Sequence, residues 1–278
     1  MGKKQPKMPT ELDDFFFDLQ GYLVLQGALA GDEVRRLNAA IDEIGALPPG
    51  QWQGNVHSQE RDVYHDEVRG INLQNIVESG AAFEELIDHQ AWIEHMRRYI
   101  GLRQLFIDEC FVSIRERGGF INIHSGGWEE ALRTQYKYQN GKFSCGQINI
   151  LVALSDIGPG DGATTIIPAS HKGNLCHPNM NRPFEERVRE ASDGVEGVVE
   201  VHLKAGDAIL FVDALAHGSA ARVNDGERRI LVYRYGPYWG NTRYGYQYSP
   251  ALLDRLTPAR REILQPIPPR LPPPANDV

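Results

Sequence analysis

The sequence predicts a mainly β domain, an antiparallel sandwich or barrel, preceded by a helical segment. Two observations carry this. From about residue 104, short β-rich segments follow one another closely: QLFIDECFVSIRER, GGFINIHSGG, GQINILVALSD, ATTIIPAS, VVEVHLKAGDAILFVDALAH and RRILVYRYGP. Gly, Pro, Asn and Asp separate them, which is turn chemistry. Before residue 104, apolar residues recur instead at helical spacing. There is no internal repeat.

Taken in order, residues 1–10 are expected to be disordered. PTELDDFF starts a helix, with Thr10 as N-cap and Asp13 as the capping-box acid. GYLVLQGAL (21–29) reads as a short strand. GDEVRRLNAAIDEIGAL (31–47) reads as a helix with Asp32 near its start. Residues 48–75 are polar and irregular, and no element is assigned to them. SGAAFEELIDHQAWIEHMRRYIG (79–101) carries a helical pattern that ends at Gly101. After Tyr248, PALLDRLTPARREIL is a short helix, and PIPPRLPPP is proline-rich and expected to run extended over the surface.

Composition narrows the functional classes. Apolar residues make up 41%, enough for a buried core, and the net charge of −8 argues against a nucleic-acid polymer as partner. The three cysteines, Cys110, Cys145 and Cys176, are widely spaced and include no C-x-x-C pair. That opposes a disulfide framework or structural zinc and fits a reducing cytosol, so a cytoplasmic location is expected. MGKKQPKMPTELDD has no apolar core of a secretory signal, and the longest apolar run, INILVAL, is too short to span a membrane.

Several residues invite chemistry. In FINIHSGGW, His124 closes an alternating run, a common place for a metal ligand. Gln147, Asn149 and Leu151 share one parity, so their strand would turn amides toward a polar pocket, or else toward solvent. In LFVDALAHGSA a strand rises to Asp213, and a short loop leads to His217 and Ser219. Arg228 and Arg229 open the last strand facing opposite ways. The one that points inward needs an anion, and a guanidinium fork matches a carboxylate.

Together, His124, His217 and Arg228 in this β-rich context resemble the phytanoyl-CoA dioxygenase-like branch of the Fe(II)/2-oxoglutarate oxygenases. CGQINILVALSDIGPGDGATTIIPASHKGN and GDAILFVDALAHGSA…ERRILVYRYGP carry the likeness most clearly. It covers about residues 11–265, and so implies one domain there. That domain has a helical part at 11–103 and a core at 104–240, with a proline-rich tail at 266–278. The implied fold is a double-stranded β-helix, or jelly roll. The resemblance implies that His124 and His217 bind Fe(II), that Arg228 holds the far carboxylate of 2-oxoglutarate with help from Ser219, and that O2 is consumed. Gln147 and Asn149 are assigned to the cosubstrate wall.

The departure is Gly126, where most members carry aspartate. Three accounts compete. In the first, chloride fills the gap, as in the related halogenases that replace this aspartate by glycine or alanine and chlorinate an unactivated carbon. In the second, a displaced carboxylate, Asp213, or Glu129 or Glu130, completes the metal site of a hydroxylase, although Asp213 also suits support of a ligand histidine. In the third, metal chemistry is lost and a binding protein remains. The first is preferred. Trp128, His177 and Trp239 are candidate pocket residues, and Arg61, Arg69, Arg115, Arg117, Lys137 and Lys172 are candidate cations beside it. The expected substrate is a small metabolite of specialised biosynthesis, with a nucleotide as the leading example.

Overall fold

Thr10 accepts the Asp13 amide and Asp13 accepts the Thr10 amide, so the first helix, α1 (Glu11–Gln20), opens on a complete capping box. It stops at Gly21, whose left-handed φ of 85° turns the chain into β1 (Tyr22–Leu25). The computed structural model describes residues 6–45, 47–59, 70–240 and 247–266. The expectations for residues 1–5 and for the proline-rich tail from 267 onward lie outside the described residues.

After β1 come α2 (Gly31–Ile44), β2 (Trp52–Gln53), β3 (Val56–Ser58), β4 (Gly70–Gln74), α3 (Ala81–Glu84), α4 (Ile93–Ile100), β5 (Leu105–Arg115) and β6 (Ile121–His124). A hairpin of β7 (Tyr136–Gln139) and β8 (Lys142–Cys145) leads to β9 (Ile148–Ala153) and β10 (Thr164–Ile166). Then follow β11 (Val199–Val201), β12 (Ala208–Val212), β13 (His217–Ser219) and β14 (Arg228–Pro237). Two short helices, Pro250–Arg255 and Pro258–Leu264, close the described chain. The strands form an eight-stranded sheet, β1-β12-β9-β14-β5-β4-β3-β2, and a four-stranded sheet, β11-β10-β13-β6, all pairs antiparallel. This is a jelly roll: the smaller sheet faces the larger across a polar cavity, and helices cover the larger sheet's other face.

Two expectations are corrected. Residues 48–75 contain three strands, which extend the large sheet beyond β5. They are short: β4 pairs with β5, β3 with β4 and β2 with β3, while Val56, Ile71 and Leu73 pack in or against the core. The stretch 79–101 is not one helix. It breaks after α3 into turns before α4, and tyrosines from β14 take its carbonyls. Tyr233 Oη donates to Phe83 O at 2.7 Å, and Tyr235 Oη reaches Leu86 O and Ile87 O at 3.1 and 3.0 Å.

Strand β14 shows how core and cavity are separated. Leu231, Tyr233 and Tyr235 are buried under the helices, while Arg228, Ile230, Val232 and Arg234 line the cavity. The period-two alternation of one strand thus places an apolar and a functional face back to back.

A buried base in the helical layer gives the first prediction. His95, on α4, is fully buried with neither ring nitrogen hydrogen-bonded, and burial pushes it down to about 4. Below pH 6.5 the unfolded chain takes up a proton that the folded chain refuses, so stability falls as pH drops toward 4. The contribution between pH 6.5 and 5 is on the order of 2 kcal/mol. Urea midpoints should therefore fall more from pH 7.5 to 5 in wild type than in His95→Leu. Equal falls would contradict this.

Candidate active site

Between the two sheets lies a cavity of about 330 Å³, and His124, His217 and Arg228 all border it. The two histidines are register partners on β6 and β13, where the ladder slips by one residue before Ser219. Such a bulge re-aims side chains without breaking the sheet. Their ring centroids are 4.1 Å apart. Each ring donates Nδ1–H to the carbonyl two residues back, His124 to Asn122 at 2.9 Å and His217 to Leu215 at 2.6 Å. Since a carbonyl can only accept, Nδ1 carries the proton and Nε2 carries the lone pair. Burial, then the adjacent His217, holds His124 well below its ordinary value. Both features suit a pair of neutral imidazole ligands.

Arg228 lies 3% exposed, and its partner across the ladder is Arg115, which also borders the cavity. Its Nη1 donates to Gly162 O, while Nε has no protein partner. Burial, then the charges of Arg115 and Arg222, pushes Arg228 down to about 9. A cation held this way calls for an anion. Ser219 sits beside it on the cavity wall, and its Oγ accepts from Ile121 N at 2.8 Å, so its own proton is directed elsewhere. Arg229 points the opposite way, to Asp42 at 2.7 Å and Glu227 at 2.5 Å.

Residue 126 brings no side chain to the histidine pair. Ser125 (φ 61°) and Gly126 (φ 148°) turn the chain off the strand, and the cavity wall ends at Ser125. A Cβ on Gly126 would stand 2.5 Å from Trp128 Nε1 and 2.7 Å from its Cδ1. Both the backbone and the indole therefore select glycine here. Asp213 is 1% exposed and already engaged: Oδ1 accepts from Asn149 Nδ2 at 2.9 Å, and Oδ2 faces Arg133 at 3.3 Å. Arg133 also pairs with Glu129. Among the described residues, no group of three His, Cys, Asp or Glu side chains is placed to hold a metal. Asp213 stands close enough for its charge to act on His124, and its contacts to Asn149 and Arg133 suit the supporting role.

Other expected residues divide. Asn149 borders the cavity, but Gln147 precedes β9 and faces a separate void of about 10 Å³ with Asp108 and Trp239. Trp128 packs against Gly126 rather than on the cavity wall. His177 caps a short helical turn, its Nδ1 accepting from Asn179 N at 3.2 Å, and does not border the cavity. Of the candidate cations only Arg115 borders it. Lys172 pairs with Asp18 at 2.9 Å, Arg117 pairs with Asp225 at 3.0 Å, and Lys137 is exposed on the β7–β8 hairpin. Arg61 and Arg69 lie outside the described residues. The sequence reading missed Gln59, Asn72, Gln74, Glu109, Arg133 and Arg234, all on the wall. For Glu109 and Arg234 a signal existed: they share parity with Arg115 and Arg228 on their strands.

The donor set fits a ferrous ion and a dicarboxylate: two imidazoles offering Nε2 on one wall, and a buried guanidinium lacking an anion on the other. The phytanoyl-CoA dioxygenase (PhyH) family matches residues 17–230. The peroxisomal phytanoyl-CoA dioxygenase of Rattus norvegicus is 24% identical over 238 residues, 80% of this chain and 66% of that enzyme. Dioxygenase cdmD of Talaromyces verruculosus is 35% identical over 89 residues, 32% of this chain and 24% of that protein. The chain thus spans less than two thirds of these relatives' lengths. HygX from Streptomyces hygroscopicus, solved with nickel and 2-oxoglutarate, superposes with a TM-score of 0.69 at 23% identity, over 84% of this chain and 88% of that one. The carbocyclase SnoK from nogalamycin biosynthesis does so with a TM-score of 0.61 at 17% identity, over 92% and 95%. At these identities the structural likeness speaks to the fold, and the family match speaks to descent: the chain belongs to the phytanoyl-CoA dioxygenase family of Fe(II)/2-oxoglutarate-dependent oxygenases.

Proposed function

We propose that this chain is an Fe(II)/2-oxoglutarate-dependent halogenase of a small metabolite, taking chloride from solution at the metal position that a carboxylate fills in most of its relatives. The observation that carries this reading is the two-histidine site with no third protein donor among the described residues.

In this reading His124 and His217 hold iron through Nε2. Arg228 clamps the far carboxylate of 2-oxoglutarate with its planar fork, and Ser219 adds a hydroxyl donor. Asp213, tied to Asn149 and Arg133, steadies the loop that leads into His217. Iron held there, with 2-oxoglutarate and O2, supplies oxidation of an unactivated carbon, and chloride at the metal would direct that oxidation to a carbon–chlorine bond. HygX has also been solved with hygromycin B bound, and SnoK serves nogalamycin biosynthesis. Both support a small substrate of specialised metabolism.

Two experiments test this. Arg228→Gln should weaken 2-oxoglutarate binding to the metal-loaded protein by about 30-fold to several thousand-fold, the range for leaving a buried charge without its partner. Arg229→Gln, on the outer face, should change it little. The reverse order would contradict the clamp.

Chloride should shift the absorption band of the anaerobic ferrous 2-oxoglutarate complex, and Gly126→Asp should abolish that response. With substrate, the product should gain one chlorine and lose one hydrogen. A spectrum indifferent to saturating chloride, with products that carry only oxygen, would replace halogenation by hydroxylation.

A further inference from the structure

The cavity wall away from Arg228 is built from two similar units. In one, Gln74 on β4 donates its Nε2 to Glu109 at 2.9 Å, and Glu109 pairs with Arg234 at 3.2 Å. In the other, Asn149 on β9 donates its Nδ2 to Asp213 at 2.9 Å, and Asp213 pairs with Arg133 at 3.3 Å. Arg234 is the register partner of both Asn149 and Glu109, so these residues form a row across β9, β14 and β5, with Gln74 on β4 beyond.

The chemistry of each unit fixes which way its amide points. A carboxylate only accepts, so the amide nitrogen must face it and the amide oxygen must face away. Those two oxygens, Gln74 Oε1 and Asn149 Oδ1, are buried with no hydrogen-bond partner among the described residues. Their side chains are 2% and 1% exposed, and both residues border the cavity. Buried acceptors without a donor are unfavourable unless a ligand supplies one. Arg133 and Arg234 already face carboxylates, so the row carries little net positive charge toward a ligand.

We propose that the substrate is a hydroxyl- or amine-bearing small molecule, of the polyol or amino-sugar class, whose hydrogen-bond donors are read by Gln74 Oε1 and Asn149 Oδ1. A fatty acyl group fits this wall poorly, because an alkyl chain leaves both amide oxygens unsatisfied, and a phosphate laid on this row meets Arg133 and Arg234, which already face carboxylates. The inference rests on the oxygenase reading of the same cavity, and supplies the substrate class which that reading leaves open.

The test uses the full chain loaded with Zn(II), a redox-inert diamagnetic stand-in for iron, and 2-oxoglutarate. Binding of D-glucosamine, myo-inositol, AMP and decanoate is followed by ligand-observed NMR. Glucosamine or inositol should bind more tightly than AMP and decanoate. Gln74→Met and Asn149→Leu should each weaken that binding about tenfold, and Gln74→Met should retain 2-oxoglutarate. The substitutions lie on separate strands, and the ranking of probes on the wild type needs neither of them. Tighter binding of AMP or decanoate, donor binding indifferent to both substitutions, or no donor binding at all would overturn the inference. The 2-oxoglutarate signal in the same samples separates the two claims. If it too fails to bind, the oxygenase reading falls; if it binds and the donor probes do not, only the substrate class falls.

Discussion

The pairing of His217 with His124 across β13 and β6 is the constraint on which the site depends. Two short strands bring the imidazoles to 4.1 Å between centroids, and the backbone carbonyls of Asn122 in β6 and of Leu215 just ahead of β13 hold both rings in one tautomer. Rotation of either ring would sacrifice a hydrogen bond in a buried place, so the geometry is set before any ligand arrives. The large sheet supplies the opposite wall, and its depth is set by β14, whose inward residues alternate with the tyrosines that anchor the helical layer.

This arrangement leaves buried polarity that the protein alone does not satisfy. Among the described residues no carboxylate pairs with Arg228, and Arg115 and Arg222 add like charge. Gln74 and Asn149 each present an amide oxygen without a donor. Other such atoms lie elsewhere, on His95 and Gln147 among them, but those of Arg228, Gln74 and Asn149 border one cavity, and that grouping suits a binding site. An anion at Arg228 and hydrogen-bond donors at the amide row would relieve both.

Much of this was legible from residues alone, and the failures have physical causes. Strand parity placed Asn149, the family resemblance placed His124, His217, Ser219 and Arg228, and the cavity brings them together. Parity failed for Gln147 because β9 begins one residue later and the Gln147 carbonyl instead receives the Asp213 amide at 2.9 Å. Trp128 misses the cavity because two successive positive φ angles at Ser125 and Gly126 take the chain off the strand. Strands β2 to β4 are short, and although Ile71 and Leu73 of β4 alternate with Asn72 and Gln74, that run lies in an otherwise polar stretch and its polar face turns into the cavity. The role of Arg133, which joins Glu129 to Asp213, spans 80 residues on one side, and local pattern does not report such a contact.

The central claim is a two-histidine metal centre whose remaining anion comes from solution. Crystals grown without oxygen in the presence of ferrous iron, 2-oxoglutarate and bromide would test it most directly, through anomalous scattering at the iron and bromine edges. The account predicts iron bound by Nε2 of His124 and His217, 2-oxoglutarate extending to Arg228, and a bromine peak at bonding distance from the metal on the side of Gly126. Iron coordinated by a protein carboxylate, with no bromine peak beside it, would contradict it.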